Sequence, residues 1–237
     1  LTHIHEHITD GVMVLELDRP PANAMDLALL DELGGRLDGI AAEPPPALVL
    51  AGRGGMFSAG VDLTAVPGYG PEAQRRMVQS INRMAIDTYA LPCPVVAAVT
   101  GHAIAGGLVL ALGADARIAS AAGRYGLTEV RVAVPYPQGA LLLVRAELTA
   151  AAARRLVLGA ELVDAETCRQ LDVFDEVIPP EEVLARAIVR ATELAALPAE
   201  VYARSKLDLR RAALAEMRAA AARDPLLDAW TTGRVSG

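Results

Sequence analysis

Residues 94–115, PVVAAVTGHAIAGGLVLALGAD, constrain the fold more than any other stretch of this chain. An unbroken apolar run, Val95–Val99, reads as a buried strand. It turns at Gly101 and enters a helical stretch near Gly106. The same order of apolar run, glycine turn and helix recurs along the sequence. ALVLAG (47–52) runs into Gly54-Gly55, and a helix follows over Glu72–Tyr89 after the turn-rich 64–71 loop, TAVPGYGP. ARIAS (116–120) reads as a further strand. Strands alternating with helices predict an α/β core with crossover connections. Upstream, THIHEHITDGVMVLELDRP predicts two short strands around an Asp10-Gly11 turn. Asp26 then opens a helix carrying Leu27, Leu30, Leu33 and Leu37 at helical spacing. After Leu141 the pattern is helical almost alone, with stretches at 181–197 and 199–222 interrupted at Pro198.

With 237 residues, 53% of them hydrophobic, and no Pro/Gly/Ser-rich linker, one main domain with a sizeable core is expected. Aromatic residues make up only 3%, so Ala, Val, Leu and Ile must build that core. A formal charge of −7 argues against a nucleic-acid partner, whose phosphates need clustered positive charge. It leaves room for a ligand whose few phosphates are served locally. Cys93 and Cys168 lie far apart and outside any metal-ligand spacing, which fits a reduced, cytoplasmic chain. No apolar stretch reaches membrane-spanning length, so no membrane partner is expected. His3, His5 and His7 alternate and share one strand face. With no acidic or cysteine partner evident, a solvated edge strand is preferred there over a metal site, and no metal is assigned.

The Gly-rich helix start has chemical meaning. Backbone N–H groups at a helix N-terminus lack intrahelical partners and carry the positive end of the helix dipole. Glycines let a ligand oxygen approach them closely. Three segments in order, FSAGVDL (57–63), GHAIAGGLVLALGAD (101–115) and YGLTEVRVAVP (125–135), resemble the crotonase superfamily of enoyl-CoA hydratases and isomerases. DRPPANAMD (18–26) and GAELVDAETCRQLDVFDEVIPP (159–180) extend the resemblance over essentially the whole chain.

The resemblance implies a crotonase-like ββα spiral core over residues 1–180. A C-terminal helical region over 181–237 would cover the site and pack between subunits of a trimer or dimer of trimers. It implies an acyl-CoA substrate and no cofactor beyond the CoA moiety of that substrate. The backbone amides of Val61 and Gly106 would hold the thioester oxygen as it gains enolate charge. Ala22, Asn23, Ala24, Ser58, Ala59, Gly60, Asp62 and Leu63 would line the CoA-binding loops, with Asp62 hydrogen-bonding neighbouring amides. Lys206, the only lysine, matches a segment that contacts CoA phosphates, or is an ordinary exposed helix lysine. Tyr69 and Tyr136 line the acyl pocket or anchor their loops. His102 reads as structural.

Glu129 is the acid/base candidate. It precedes VRVAV, a stretch of strand-like or tightly packed character, and its alternative is a surface glutamate opening a helix or pairing with Arg131. Val109 is the departure, because hydratases of the superfamily carry a second glutamate there to hold a water. Δ3,Δ2-Enoyl-CoA isomerases need one base only, and this site pattern is closest to theirs. The expected activity is therefore proton shuttling by Glu129 on a 3-enoyl thioester. Alternatives are hydration with a second carboxylate such as Glu72, thioester hydrolysis or decarboxylation, and a catalytically weak acyl-CoA-binding protein.

Overall fold

The computed structural model describes residues 2–228 and residue 230. The chain opens as an antiparallel hairpin of β1 (Ile4–Thr9) and β2 (Val12–Leu17). Asp10 and Gly11 join them at φ 52° and 77°, the positive pair that a tight two-residue hairpin turn requires. Helix α1 (Leu27–Ala42) starts where Asp26 accepts a hydrogen bond from the Leu29 amide at 2.9 Å.

Three successive strand–strand–helix turns follow. They are β3 (Leu48–Gly52), β4 (Met56–Ser58) and α2 (Pro71–Ala90); β5 (Val95–Val99), β6 (His102–Ile104) and α3 (Gly106–Leu112); β7 (Ala116–Ser120), β8 (Arg124–Gly126) and α4 (Gln138–Glu147). The chain continues through α5 (Ala150–Ala153), β9 (Val163–Asp164), α6 (Ala165–Gln170), β10 (Glu176–Ile178), α7 (Val183–Ala195) and α8 (Ala199–Ala221). Each turn adds one strand to each of two sheets. The larger runs β1-β2-β3-β5-β7-β10 and the smaller β4-β6-β8-β9. From β2 onward the large sheet is parallel. This is the expected spiral of ββα turns, with helices at the C-terminal end.

Every residue of β3, β5 and β7 is buried because both faces of the large sheet are covered. Val12, Val14, Val49, Ala51, Val96, Ala98 and Ile118 pack against Val183, Ala187 and Ala191 of α7. The alternate residues, among them Leu15, Leu48, Leu50 and Val99, face the larger cluster that includes α1, α2 and α3. Helix α8 instead lies on α4 and α2. Residues 229 and 231–237 of the expected C-terminal region lie outside the described residues.

Three expectations are corrected. The region after Leu141 is not helical alone: β10 pairs with β7 at the sheet edge, and β9 pairs with β8. Strands of two or three residues are too short to show a period. The histidines do have acidic neighbours, supplied across the hairpin by β2 and the residue after it: His7 Nδ1 lies 3.7 Å from Glu16 and His5 Nε2 2.9 Å from Asp18. Among the described residues no three His, Cys, Asp or Glu side chains cluster as a metal site would. Finally, VRVAV forms no strand; Glu129–Val132 is a 3-10 turn closed by Ala133 at φ 55°. Among the described residues no helix is long and apolar enough to cross a membrane.

Candidate active site

The loop after β4 is built against the segment that precedes α1. Met25 and Val61 form a parallel bridge in which the Met25 amide donates to the Gly60 carbonyl (2.7 Å) and the Asp62 amide to the Met25 carbonyl (2.9 Å). That pattern uses the groups on either side of Val61 and leaves its own N–H pointing the other way. No partner for the Val61 amide occurs among the described residues. The Ser58 hydroxyl donates to the Asn23 carbonyl (2.7 Å) and accepts from the Gly60 amide (3.1 Å). The Ala59 amide donates to the Ala22 carbonyl at 3.0 Å. Asn23, at φ 48°, sends its side-chain amide to the carbonyls of Arg53 (3.1 Å) and Met56 (2.8 Å). Arg19 donates to the Ala24 carbonyl and pairs with Asp62 at 2.8 Å.

Asp62 also accepts from the Thr64 hydroxyl and from the amides of Thr64 and Ala65. The Thr64 hydroxyl above all, helped by Arg19 and the two amides, pulls the Asp62 carboxyl down to about 2. Residues 22–24 and 58–62 thus form one stiff platform, with Leu63 exposed at its edge.

Gly60 sits where the platform meets α3. It has φ 77°, and a Cβ on it would lie 2.7 Å from the Gly106 nitrogen. Only glycine fits that approach. Gly106 is the first residue of α3, and its amide likewise has no partner among the described residues. A Cβ on Gly106 would stand 3.6 Å from the Gly60 Cα and 3.8 Å from the Val61 nitrogen, ordinary contact distances. Packing therefore does not demand glycine at 106. What glycine leaves open there is the space beside two unpartnered amides.

Val61 and Gly106 line a cavity of about 230 Å³ together with Val109, Glu129 and Tyr136. Val109 is one turn along α3 from Gly106 and is 1% exposed. Glu129 is 8% exposed. Its Oε2 accepts from the Tyr136 hydroxyl at 2.6 Å. Burial pushes the Glu129 carboxyl up to about 7, against the opposing pull of that hydrogen bond and of its own backbone amide. Glu129 therefore pairs with Tyr136, seven residues downstream, and not with Arg131, which is exposed. Glu129 and Tyr136 are the only titratable side chains among the described residues lining the cavity. Leu63, Ile81 and Trp230 complete an apolar wall, and the Trp230 indole donates to the Pro135 carbonyl at 3.1 Å.

Other candidates lie elsewhere. Tyr69 does not line the cavity; its hydroxyl faces the Leu27 amide at 3.4 Å, at the start of α1. Glu72 is exposed in the first turn of α2, outside the cavity wall. Lys206 is neither at the cavity nor exposed. Its ammonium donates to the Cys93 carbonyl (2.9 Å) and to Asp115 (2.8 Å), and Arg210 takes the other Asp115 oxygen. At 7% exposure that lysine serves the joint between α8 and the sheet. His102 accepts from the Arg124 amide at 3.0 Å and stays structural. A hollow of about 490 Å³ beside Lys206 is lined by Asp115, Lys206 and Arg210, with both cations bound to the one carboxylate.

Sequence reasoning did not find the Glu129–Tyr136 pair, which needs the left-handed Ala133 to fold the chain back. It also missed a latch beneath the site. Asp224, 2% exposed, accepts from the Asn82 side chain (2.9 Å) and the Gln138 amide (2.7 Å), while Asn82 accepts from the Gly139 amide (2.7 Å). These groups satisfy the first amides of α4, just after Tyr136.

The family model described as "Enoyl-CoA hydratase/isomerase" matches residues 7–229. A putative enoyl-CoA hydratase of Thermus thermophilus is 37% identical over 184 residues, 76% of this chain and 71% of that protein. The probable enoyl-CoA hydratase EchA17 of Mycobacterium tuberculosis is 33% identical over 245 aligned positions, covering 96% of this chain and 88% of that one. Among solved structures, a probable enoyl-CoA hydratase of M. tuberculosis superimposes with a TM-score of 0.86 at 31% identity, covering 92% of each chain. A structure described as an apo Mtb enoyl-CoA isomerase gives 0.86 at 30% identity, covering 94% of this chain and 98% of that one.

Proposed function

The chain belongs to the enoyl-CoA hydratase/isomerase family and is an acyl-CoA enzyme, and from that premise we propose that it isomerises 3-enoyl-CoA thioesters to 2-enoyl-CoA through one glutamate. The thioester oxygen sits between the amides of Val61 and Gly106. Each such donor contributes about 3 kcal/mol to holding the negative charge that develops there. Glu129 removes a proton from the α-carbon, and the electron pair spreads into a dienolate. The same carboxyl then returns the proton at the γ-carbon. A carboxyl poised near 7 suits both transfers at neutral pH.

The observation that carries this reading is Val109, a buried aliphatic side chain at the cavity wall. Hydration needs a second group to orient and deprotonate water, and no second carboxylate lines the cavity among the described residues. The Lys206 ammonium, bound to Asp115, leaves CoA recognition to the 22–24 and 58–63 platform. Assembly as a trimer or dimer of trimers is proposed alongside, supported by Val189, Val201 and Leu209 exposed on α7 and α8.

A second reading, hydration of 2-enoyl-CoA, is favoured by the names of several relatives. Parallel assays separate the two. Conversion of a 3-enoyl-CoA well above any hydration of crotonyl-CoA supports isomerisation. Fast hydration with no isomerisation overturns it.

A further inference from the structure

Among the described residues, Glu129 Oε2 hydrogen-bonds one other side chain, the Tyr136 hydroxyl at 2.6 Å. The same hydroxyl lies 3.1 Å from the Leu127 carbonyl oxygen. A phenol carries one proton, and both neighbours are acceptors, so they compete for it. A separation of 2.6 Å is that of an O–H···O⁻ bond, about twice as strong as a neutral one. Ionised Glu129 therefore wins the proton, and neutral Glu129 loses much of that advantage to Leu127.

The surroundings isolate this pair. Ala133 at φ 55° folds the chain so that the Val134 amide donates to the Glu129 carbonyl at 3.0 Å, bringing Tyr136 back over the carboxyl. Ile81 from α2, Val109 from α3 and Ala140 from α4 face it with hydrocarbon. Arg131 on the same turn is exposed, and Asp224 beneath α4 is held by Asn82 and the Gln138 amide. Hence, among the described residues, the Tyr136 hydroxyl is the one side-chain group hydrogen-bonded to Glu129.

We infer that Tyr136 is a positioning residue for proton transfer: its hydroxyl holds Oε2, favours the ionised carboxylate, and reserves Oε1 for the proton exchanged with substrate. This rests on Glu129 acting as the base. On removal, the α-carbon–hydrogen bond breaks, its electron pair enters the dienolate, and the proton bonds to Oε1. On return, the Oε1–hydrogen bond breaks and the dienolate's electron pair takes the proton at the γ-carbon. Tyr136 keeps its own proton throughout, and the carboxyl does not turn over between the steps.

The test is a titration of Glu129 by ¹³C NMR in glutamate-labelled protein, assigned with Glu129→Gln and repeated in Tyr136→Phe. Losing a hydrogen bond to a charged group should raise the midpoint by about one to two pH units. The acidic limb of kcat/KM for α-proton exchange should rise equally, a loss of about tenfold or more at pH 6 that alkaline pH restores. A midpoint that stays or falls overturns the proposal, as does a loss of activity equal at every pH. In unsubstituted protein the Tyr136 Cζ resonance should step at the Glu129 midpoint. No step there overturns the pairing even if the variant fails to fold. A parent chain that exchanges no α-proton overturns the role of Glu129 as base, while the carboxyl titration decides the pairing separately.

Discussion

Replacing Glu129 by Gln should make the protein more stable at neutral pH, because the site holds this carboxyl at a cost to the fold. The folded carboxyl lies at about 7 against an ordinary value of 4.5, and burial is the main cause. In the unfolded chain it returns near the ordinary value. Between those two pH values the folded chain holds a proton that the unfolded chain has released. Stability must therefore fall as pH rises through that window, and this contribution levels off above the folded value. A gap of about 2.5 pH units, at about 1.4 kcal/mol per unit, amounts to about 3.5 kcal/mol in full, of which about 3 falls between pH 4.5 and pH 8. Gln keeps an oxygen to accept from the Tyr136 hydroxyl, 2.6 Å from Oε2 in the parent, and it does not titrate. Urea unfolding of parent and variant at pH 4.5 and pH 8 measures the effect. The variant's advantage should grow by about 3 kcal/mol between the two, or roughly 6–12 °C in thermal midpoint for a chain of this size. An advantage that does not change with pH, or a variant less stable at pH 8, would refute the reasoning. The same variant should lose isomerase turnover while retaining acyl-CoA binding.

Three further outcomes follow from the site. Gly106→Ala should fold with near-parental stability, since its Cβ meets nothing closer than 3.6 Å, yet lose about a hundredfold or more in turnover because the methyl stands beside both amides. Circular dichroism melts and initial rates check the two halves of that statement. Val109→Glu should bring measurable crotonyl-CoA hydration at the expense of thermal stability, because a carboxyl enters a position 1% exposed. Asp224→Ala leaves the Asn82 side chain and the Gln138 and Leu226 amides without their acceptor. Urea unfolding should register a loss of about 2–3 kcal/mol, reflecting the cost of orphaned buried donors.

The sequence was most legible where physics is local. Asp10-Gly11, the Asp26 cap and the apolar runs at 48–52, 95–99 and 116–120 each announce an element through turn chemistry or hydrophobic pattern. The amides of Val61 and Gly106 were named through a resemblance, whose motifs at 57–63 and 101–115 are contiguous stretches of sequence. The small sheet was hidden, since β4, β6 and β8 span three residues each and β9 two. Contacts across the chain were hidden for a different reason. Lys206 reads as a surface lysine until α8 carries it to Asp115, 91 residues away. Asp224 reaches Asn82 across 142 residues, and no spacing rule connects them. Tyr136 needed the left-handed Ala133, a conformation that alanine does not advertise.

The central claim is that Glu129 alone carries a proton from the α- to the γ-carbon. Its most direct measurement uses a 3-enoyl-CoA deuterated at the α-carbon, turned over briefly in ordinary water enriched in ¹⁸O and read by mass spectrometry. The account predicts a 2-enoyl-CoA product with part of the deuterium at the γ-carbon and no ¹⁸O. Unchanged 3-enoyl-CoA with no deuterium at the γ-carbon, while crotonyl-CoA in the same water gains ¹⁸O at its β-carbon, would contradict it.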